Sequence, residues 1–366
     1  MLNELTSSPN SQCFLHANVT HIQASANASG VDYLCVQSLN GNKLSVQARQ
    51  YILACGAIEN ARLLLASNDV QSAGIGNDRD QVGRYFMEHP HARVATLQTG
   101  SEQSARAAAF ALWQAYSKQF SAVPIAPVIA PSPELQQRDA LLNTALTFKL
   151  QRPEKLGTPL NRRLYLGLKH QLNPTRSGRA MWRVYRDGKG LLQRTVRQGF
   201  EQARVALGLT GLHVMARAEQ APNPASRVQL SKRLDALNKP LADLNWHLGE
   251  LDKHTLIGLT DVLGQELQRL GVGKLSASSW LDNASLEWPV DESIGNHPIG
   301  GYHHMGTTRM SLDPAHGVVD ADCRVHGYEN LFVAGSSVFT TGGWANPTLT
   351  ILALTDRLAD HLLSRS

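Results

Sequence analysis

The chain has 366 residues, of which 42% are hydrophobic and 18% charged. That balance excludes an intrinsically disordered chain and accommodates one large or two ordinary domains with real cores. The net charge is a modest +5, and the four cysteines (Cys13, Cys35, Cys55 and Cys323) lie far apart without a CxxC spacing. No zinc or other metal site is therefore expected, and a reducing compartment suits the chain.

The N-terminal stretch "MLNELTSSPNSQ" is polar and lacks the apolar centre of a signal peptide. No apolar run reaches the roughly 18 residues that a transmembrane helix needs. A cytoplasmic chain without a transmembrane segment is the expectation. The next stretch, "CFLHANVTHIQ", begins the structured part. "VDYLCVQSL" and "KLSVQAR" alternate apolar and polar residues and are joined by "NGN", whose residues tolerate the positive φ of a tight turn. That pattern predicts a β-hairpin. "YILACGA" reads as a short apolar strand, with Cys55 as a small core residue, running directly into the helix "IENARLLLAS". Strand, glycine turn and helix make the corner that meets phosphate in a doubly wound sheet, but also any βα corner of an α/β protein. "GIGNDRDQVG" has no apolar strand before it, so no GxGxxG fingerprint follows an early strand. In "QVGRYFMEHPHARVATLQTG", His89 and His91 would share one face of a strand. A turn histidine held by backbone groups is preferred there to a metal pair.

Residues from 100 to 285 have a different texture. "SEQSARAAAFALWQAYSKQF" and "DKHTLIGLTDVLGQELQRLG" have helical periodicity. "LNTALTFKL", "LHVMARAEQ", "SRVQLS" and "LADLNWHLGE" alternate as strands, and "AVPIAPVIAPSPELQQ" reads as a loop or lid. The region is expected to form a mostly antiparallel sheet with helices on one side. Its basic stretch, Arg152 to Arg204, suits a nucleic-acid face, a solvated surface, an anionic membrane or an acidic partner subunit. With no nucleic-acid motif beside it, the solvated surface is preferred and no nucleic-acid partner is expected.

Near the C-terminus, "NLFVAGSSVF" is an apolar strand ending at Gly335, with Ser336 and Ser337 at its mouth. "TTGGWANPTLTILALTDRLADHLLSR" then supplies a glycine-rich turn and a helix. Pro347 suits its first turn, and Leu349, Leu352, Leu354 and Leu358 are expected on its buried face. Just upstream, "GYHHMGTTRM" sets two histidines side by side. Neutral imidazole near pH 7 can take a proton, although each histidine taken alone is more often structural than catalytic.

"HHMGTTRM", "GVVDADCRVHGYENLFVAGSSVF" and "ANPTLTILALTDRLADHL", with "ILACGAIENARLLLAS", "VGRYFMEHPH" and "PNPASRVQLSKRLDALNKPLADLNW", resemble the glucose–methanol–choline (GMC) flavoprotein oxidoreductases. The resemblance implies FAD as cofactor and oxidation of a CH–OH group, with hydride passing to flavin N5. His303, three residues before Gly306, takes the role of base, and Asn346, just before Pro347, that of its polar partner. His304 is then a packed neighbour. Arg309 would either support the flavin site or form a structural ion pair. Gly335, Ser336, Pro347 and Thr348 match flavin-facing positions, Val19 the strand position at adenine, and Gly56 and Ala57 the corner near the FAD phosphates or ribose. The enzyme would be an alcohol or sugar dehydrogenase or oxidase, with a closer likeness to the bacterial dehydrogenases than to the fungal oxidases.

Members of the family begin with a strand, a GxGxxG turn and a helix, which are not found here. The expectation is an α/β chain holding an incomplete Rossmann-like FAD-binding part and an antiparallel-sheet substrate domain with helices. Residues 1–95 and 291–366 would form the first and 96–290 the second. The chain would be a C-terminal portion, completed by a separate N-terminal FAD-domain polypeptide or served by an electron-acceptor protein. The alternative is a truncated, non-catalytic chain that cannot hold FAD unaided.

Overall fold

In the computed structural model, residues 8–98, 128–152, 160–169, 175–188, 203–204, 207, 209, 211–290 and 301–364 are described. The helical pattern expected at 101–120 lies outside them. In chain order the strands are β1 (Asn18–Ala24), β2 (Val31–Gln37), β3 (Lys43–Val46), β4 (Tyr51–Leu53), β5 (His91–Gln98), β6 (Ala145–Gln151), β7 (Gly211–Arg217), β8 (Arg227–Leu234), β9 (Pro240–Asn245), β10 (Lys274–Ala277) and β11 (Leu331–Val333). The helices are α1 (Gly56–Ala66), α2 (Pro133–Asp139), α3 (Leu160–Lys169), α4 (residues 176–188), α5 (Glu250–Arg269) and α6 (Thr348–Leu363). They fall into two compact units. One comprises Met1–Met87, Pro222–His247 and His303–Ser366, and the other Glu88–Ala221 and Leu248–Tyr302.

The first unit gathers both ends of the chain. The hairpin read from "NGN" is present: β2 pairs antiparallel with β3, and β1 completes a three-stranded sheet. β4 pairs in parallel with β11, 280 positions later, in the register Tyr51↔Leu331 to Leu53↔Val333. Asn330 ties this pair to the meander, accepting from the Val31 N–H (2.8 Å) and donating to the Val31 carbonyl (2.9 Å). α1 buries Ala57, Ala61 and Leu64, one stripe at helical spacing, and Ala61 and Leu64 join a core with Ile22, Leu53, Phe86 and Phe332. The β8–β9 hairpin packs with this unit although it lies mid-chain.

The second unit is built on an antiparallel sheet in the order β10-β5-β7-β6. α5 lays Leu256, Leu259, Leu263 and Leu267 into a core with Ala92, Val94 and Val214, the layering expected of helix on antiparallel sheet. Buried Asp252, in the first turn of α5, accepts from the N–H of Gly249 (2.6 Å) and of Ala221 (2.7 Å). Burial pushes its carboxyl up to about 6, against the lowering effect of those two backbone donors.

Three details differ from the sequence reading. The second half of the proline-rich segment is helix α2, because Ser132 accepts from the Leu135 N–H (3.2 Å) and Pro133 occupies its first turn. Cys55 is exposed: β4 ends at Leu53, so this residue stands on the corner and not in the strand. On α6, Leu358 is buried and Leu354 half-buried, but Leu349 and Leu352 are exposed. Among the described residues, the first turns of α6 have no apolar layer to cover them.

Candidate active site

The C-terminal ends of β4 and β11 lie side by side, and each leads into a tight turn. β4 opens into the Cys55–Gly56 corner and α1, β11 into Gly335 and a 3-10 turn over Ser336–Val338. Between them runs the segment 304–310. Its Gly306 N–H donates to the Ser336 carbonyl (3.1 Å), Thr308 N–H to Ser337 (2.9 Å) and Met310 N–H to Val338 (2.9 Å). Ser336 Oγ returns a bond to the His304 carbonyl (2.7 Å). Thr307 Oγ1 donates to the Ala57 carbonyl at the start of α1. The "HHMGTTRM" motif is therefore a zipper between the two strand ends.

Gly306 is required for this arrangement. Its φ is +87°, and a Cβ there would lie 2.2 Å from the Tyr85 carbonyl oxygen. No side chain fits, and an L-residue would be strained in any case.

Asn60 locks the corner from below. It is fully buried on α1, accepts from the Cys55 N–H (2.9 Å) and donates to Ser337 Oγ (3.0 Å). This single amide joins residues 277 positions apart in the sequence. Sequence reasoning missed it, although a signal existed: Asn60 is the one polar residue on the apolar stripe of α1.

His303 and His304 enter at the near end of the zipper, both half-buried. The His304 ring packs on Phe86, with centroids 5.4 Å apart. Burial, with the charge of His303 adding to it, holds its imidazole below the usual histidine range. Among the described residues Arg309 has no carboxylate partner, and its guanidinium lies 4.4 Å over the Tyr85 ring, a cation–π contact. Asn346 is exposed, Pro347 buried and Thr348 exposed at the start of α6. The turn leading to them touches the zipper at Gly342, where a Cβ would come 3.1 Å from Met305 Cε. Val19 is half-buried on β1, paired with Val36 and packed on the core.

Two family models, both described as GMC oxidoreductase, match residues 1–91 and 222–355, together more than half of the chain. The chain belongs to the GMC oxidoreductase family. It is 27% identical over 321 residues to the fructose dehydrogenase large subunit of Gluconobacter japonicus, covering 87% of this chain and 48% of that protein. It is 24% identical over 323 residues to paromamine 6'-oxidase of Streptomyces fradiae, covering 87% of this chain and 46% of that one. The chain thus spans about half the length of these relatives. Two solved structures share its fold. An FAD-dependent oxidoreductase from Chaetomium thermophilum has a TM-score of 0.53 at 14% identity, covering 99% of this chain and 63% of that one. Formate oxidase from Aspergillus oryzae has a TM-score of 0.50 at 16% identity, covering 99% and 62%.

The geometry of this GMC chain fits the family's cofactor, FAD. Gly56 and Gly335 stand at adjacent parallel strand ends with φ of +82° and +113°, and a Cβ on either would meet nothing within 4 Å. Backbone is thus open to a ligand at both corners. Neither α1 nor α6 has a side-chain cap at its N-terminus, which leaves backbone N–H groups to receive acceptor atoms. The crevice beyond the carboxyl ends of parallel strands is where nucleotide cofactors bind in sheets of this kind.

Proposed function

We propose that this chain forms part of an FAD-dependent enzyme that oxidises a CH–OH group of an alcohol or sugar. The observation that carries the reading is the zipper, which binds the His303–His304 segment to the two strand ends suited to FAD. Gly56 and Ala57 would meet the phosphates or ribose, and Val19 the adenine. Gly335, Ser336, Pro347 and Thr348 would border the flavin. The chemistry FAD supplies when bound is acceptance of hydride from the carbon that carries the hydroxyl. His303 takes the hydroxyl proton as a neutral base. The Asn346 amide N–H holds the same oxygen as negative charge builds on it. His304, packed on Phe86, keeps the backbone in place. Fructose dehydrogenase and paromamine 6'-oxidase, by their names, act on sugars or amino sugars, which favours a polyhydroxylated substrate here.

The test is turnover in a flavin-loaded assembly. His303→Ala lowers it by about 100- to 10,000-fold, the usual size of a lost general base, while flavin absorbance is unchanged. An equal loss from His304→Ala with the fold intact would remove His303 from this role.

A second reading concerns completeness. Among the described residues the parallel sheet has only two strands, Ile52 on β4 is exposed, and Leu349 and Leu352 stand uncovered on α6. FAD retention then needs a further segment carrying a strand, a GxGxxG turn and a helix, in the same longer protein or in a partner subunit. The fructose dehydrogenase relative is named as a large subunit, which supports a multi-chain assembly. Co-expression with such a segment should turn the preparation yellow. Tight, stoichiometric FAD on the 366-residue chain alone overturns this second reading.

A further inference from the structure

We infer that the α3–α4 pair is an interfacial membrane anchor that lies on an anionic lipid surface. α4 carries Arg176, Arg179, Arg183 and Arg186, spaced three, four and three residues apart and therefore on one face of the helix. Met181 and Val184 fall on the opposite side. Across α3 and residues 175–188 there are seven Lys and Arg residues against one acidic residue, Asp187, which pairs with Arg186 at 3.0 Å.

The two helices are joined by an aromatic cluster. Tyr165 of α3 lies 5.0 Å from the Trp182 ring and 5.6 Å from the Tyr185 ring of α4. That packing leaves long aliphatic side chains facing outward: Leu160 is 73% exposed, Leu164 55%, Met181 60% and Val184 75%. A solvated charged face has no use for four such residues. An acidic protein surface would take the arginines but not, in general, the aliphatic side chains. An anionic bilayer takes both. Guanidinium groups reach lipid phosphates, apolar side chains enter the acyl boundary, and Trp and Tyr sit at the level of the headgroups. No helix among the described residues is long and apolar enough to cross a membrane, so the helices would lie on the bilayer.

The test is co-sedimentation of the purified full chain with vesicles of equimolar phosphatidylcholine and phosphatidylserine, and of phosphatidylcholine alone. Binding is expected to the first and not the second, and to weaken as salt is raised. Each arginine near an anionic surface is worth roughly fivefold in partition, so Arg176→Gln/Arg179→Gln/Arg183→Gln should lower binding about a hundredfold. Met181→Ser/Val184→Ser should weaken binding to the same vesicles at low salt. Should the triple variant fail to fold, Arg179→Gln alone is expected to give the fivefold step. Absence of sedimentation of the folded chain with the anionic vesicles at low salt overturns the proposal. So does an unchanged Arg179→Gln. Binding that ignores Met181→Ser/Val184→Ser and is fully competed by polyglutamate overturns it too, and points to an acidic protein partner.

Discussion

Replacing Asn60 by alanine should unlock the corner on which the candidate site is built. Asn60 is fully buried and makes two hydrogen bonds, one to the Cys55 N–H and one to the buried Ser337 hydroxyl. The Cys55 N–H belongs to an exposed residue, and its bond to Asn60 is only partly buried. Ser337 cannot reach water. A buried hydroxyl left without its partner costs about 1–3 kcal/mol, and the lost contact with the corner brings the expected destabilisation to roughly 2–3 kcal/mol. For a unit of this size that corresponds to a fall in melting temperature of roughly 5–10 °C. Urea unfolding followed by circular dichroism would give the free energy for Asn60→Ala, Ser337→Ala and the double variant. Removing both partners strands neither, so the double variant should be less damaged than the two single costs imply, by about 1 kcal/mol. Additivity within about 0.5 kcal/mol would refute the idea that this amide–hydroxyl bond is what joins the two strand ends.

Three further outcomes are expected. On the proposed role of Asn346 at the substrate oxygen, Asn346→Asp replaces an amide donor with a carboxylate and should slow turnover by an amount near 3 kcal/mol in barrier, the scale of a lost oxyanion donor. Equal rate and equal melting temperature would remove Asn346 from that role. His304→Ala removes the packing on Phe86 and should cost about 1 kcal/mol of stability by thermal unfolding, with a smaller effect on turnover than His303→Ala. The carboxyl of Asp252 is raised from 3.8 to about 6 in the folded chain. The native state therefore holds its proton more tightly, and the contribution is full below the unfolded value and lost as pH rises from about 4 to about 6. Stability should fall by roughly 3 kcal/mol across that window in the wild type and stay flatter in Asp252→Asn, measured by urea unfolding.

Much of the architecture follows from local pattern. The "NGN" turn specifies its hairpin through residues that accept positive φ, and the 250–269 stretch is a helix because its leucines recur at helical spacing. The candidate site residues could be named because "HHMGTTRM" and "ANPTLT" resemble motifs of the GMC family. Which groups act on which is a different matter. The partners of Asn60, Thr307 and Gly306 are hundreds of residues away or in another turn of the chain, and no periodicity records a bond between them. The fate of Leu349 and Leu352 likewise depends on what lies opposite, so helical spacing predicted a buried face where the tertiary structure leaves them open. The α3–α4 arginines are legible as charge in the sequence. That exposed Leu, Met and Val side chains accompany them was decided only when Tyr165, Trp182 and Tyr185 packed together and turned those residues outward. Sequence spacing sets which side chains share a face, and the elements packed against that face set whether it meets core or surroundings.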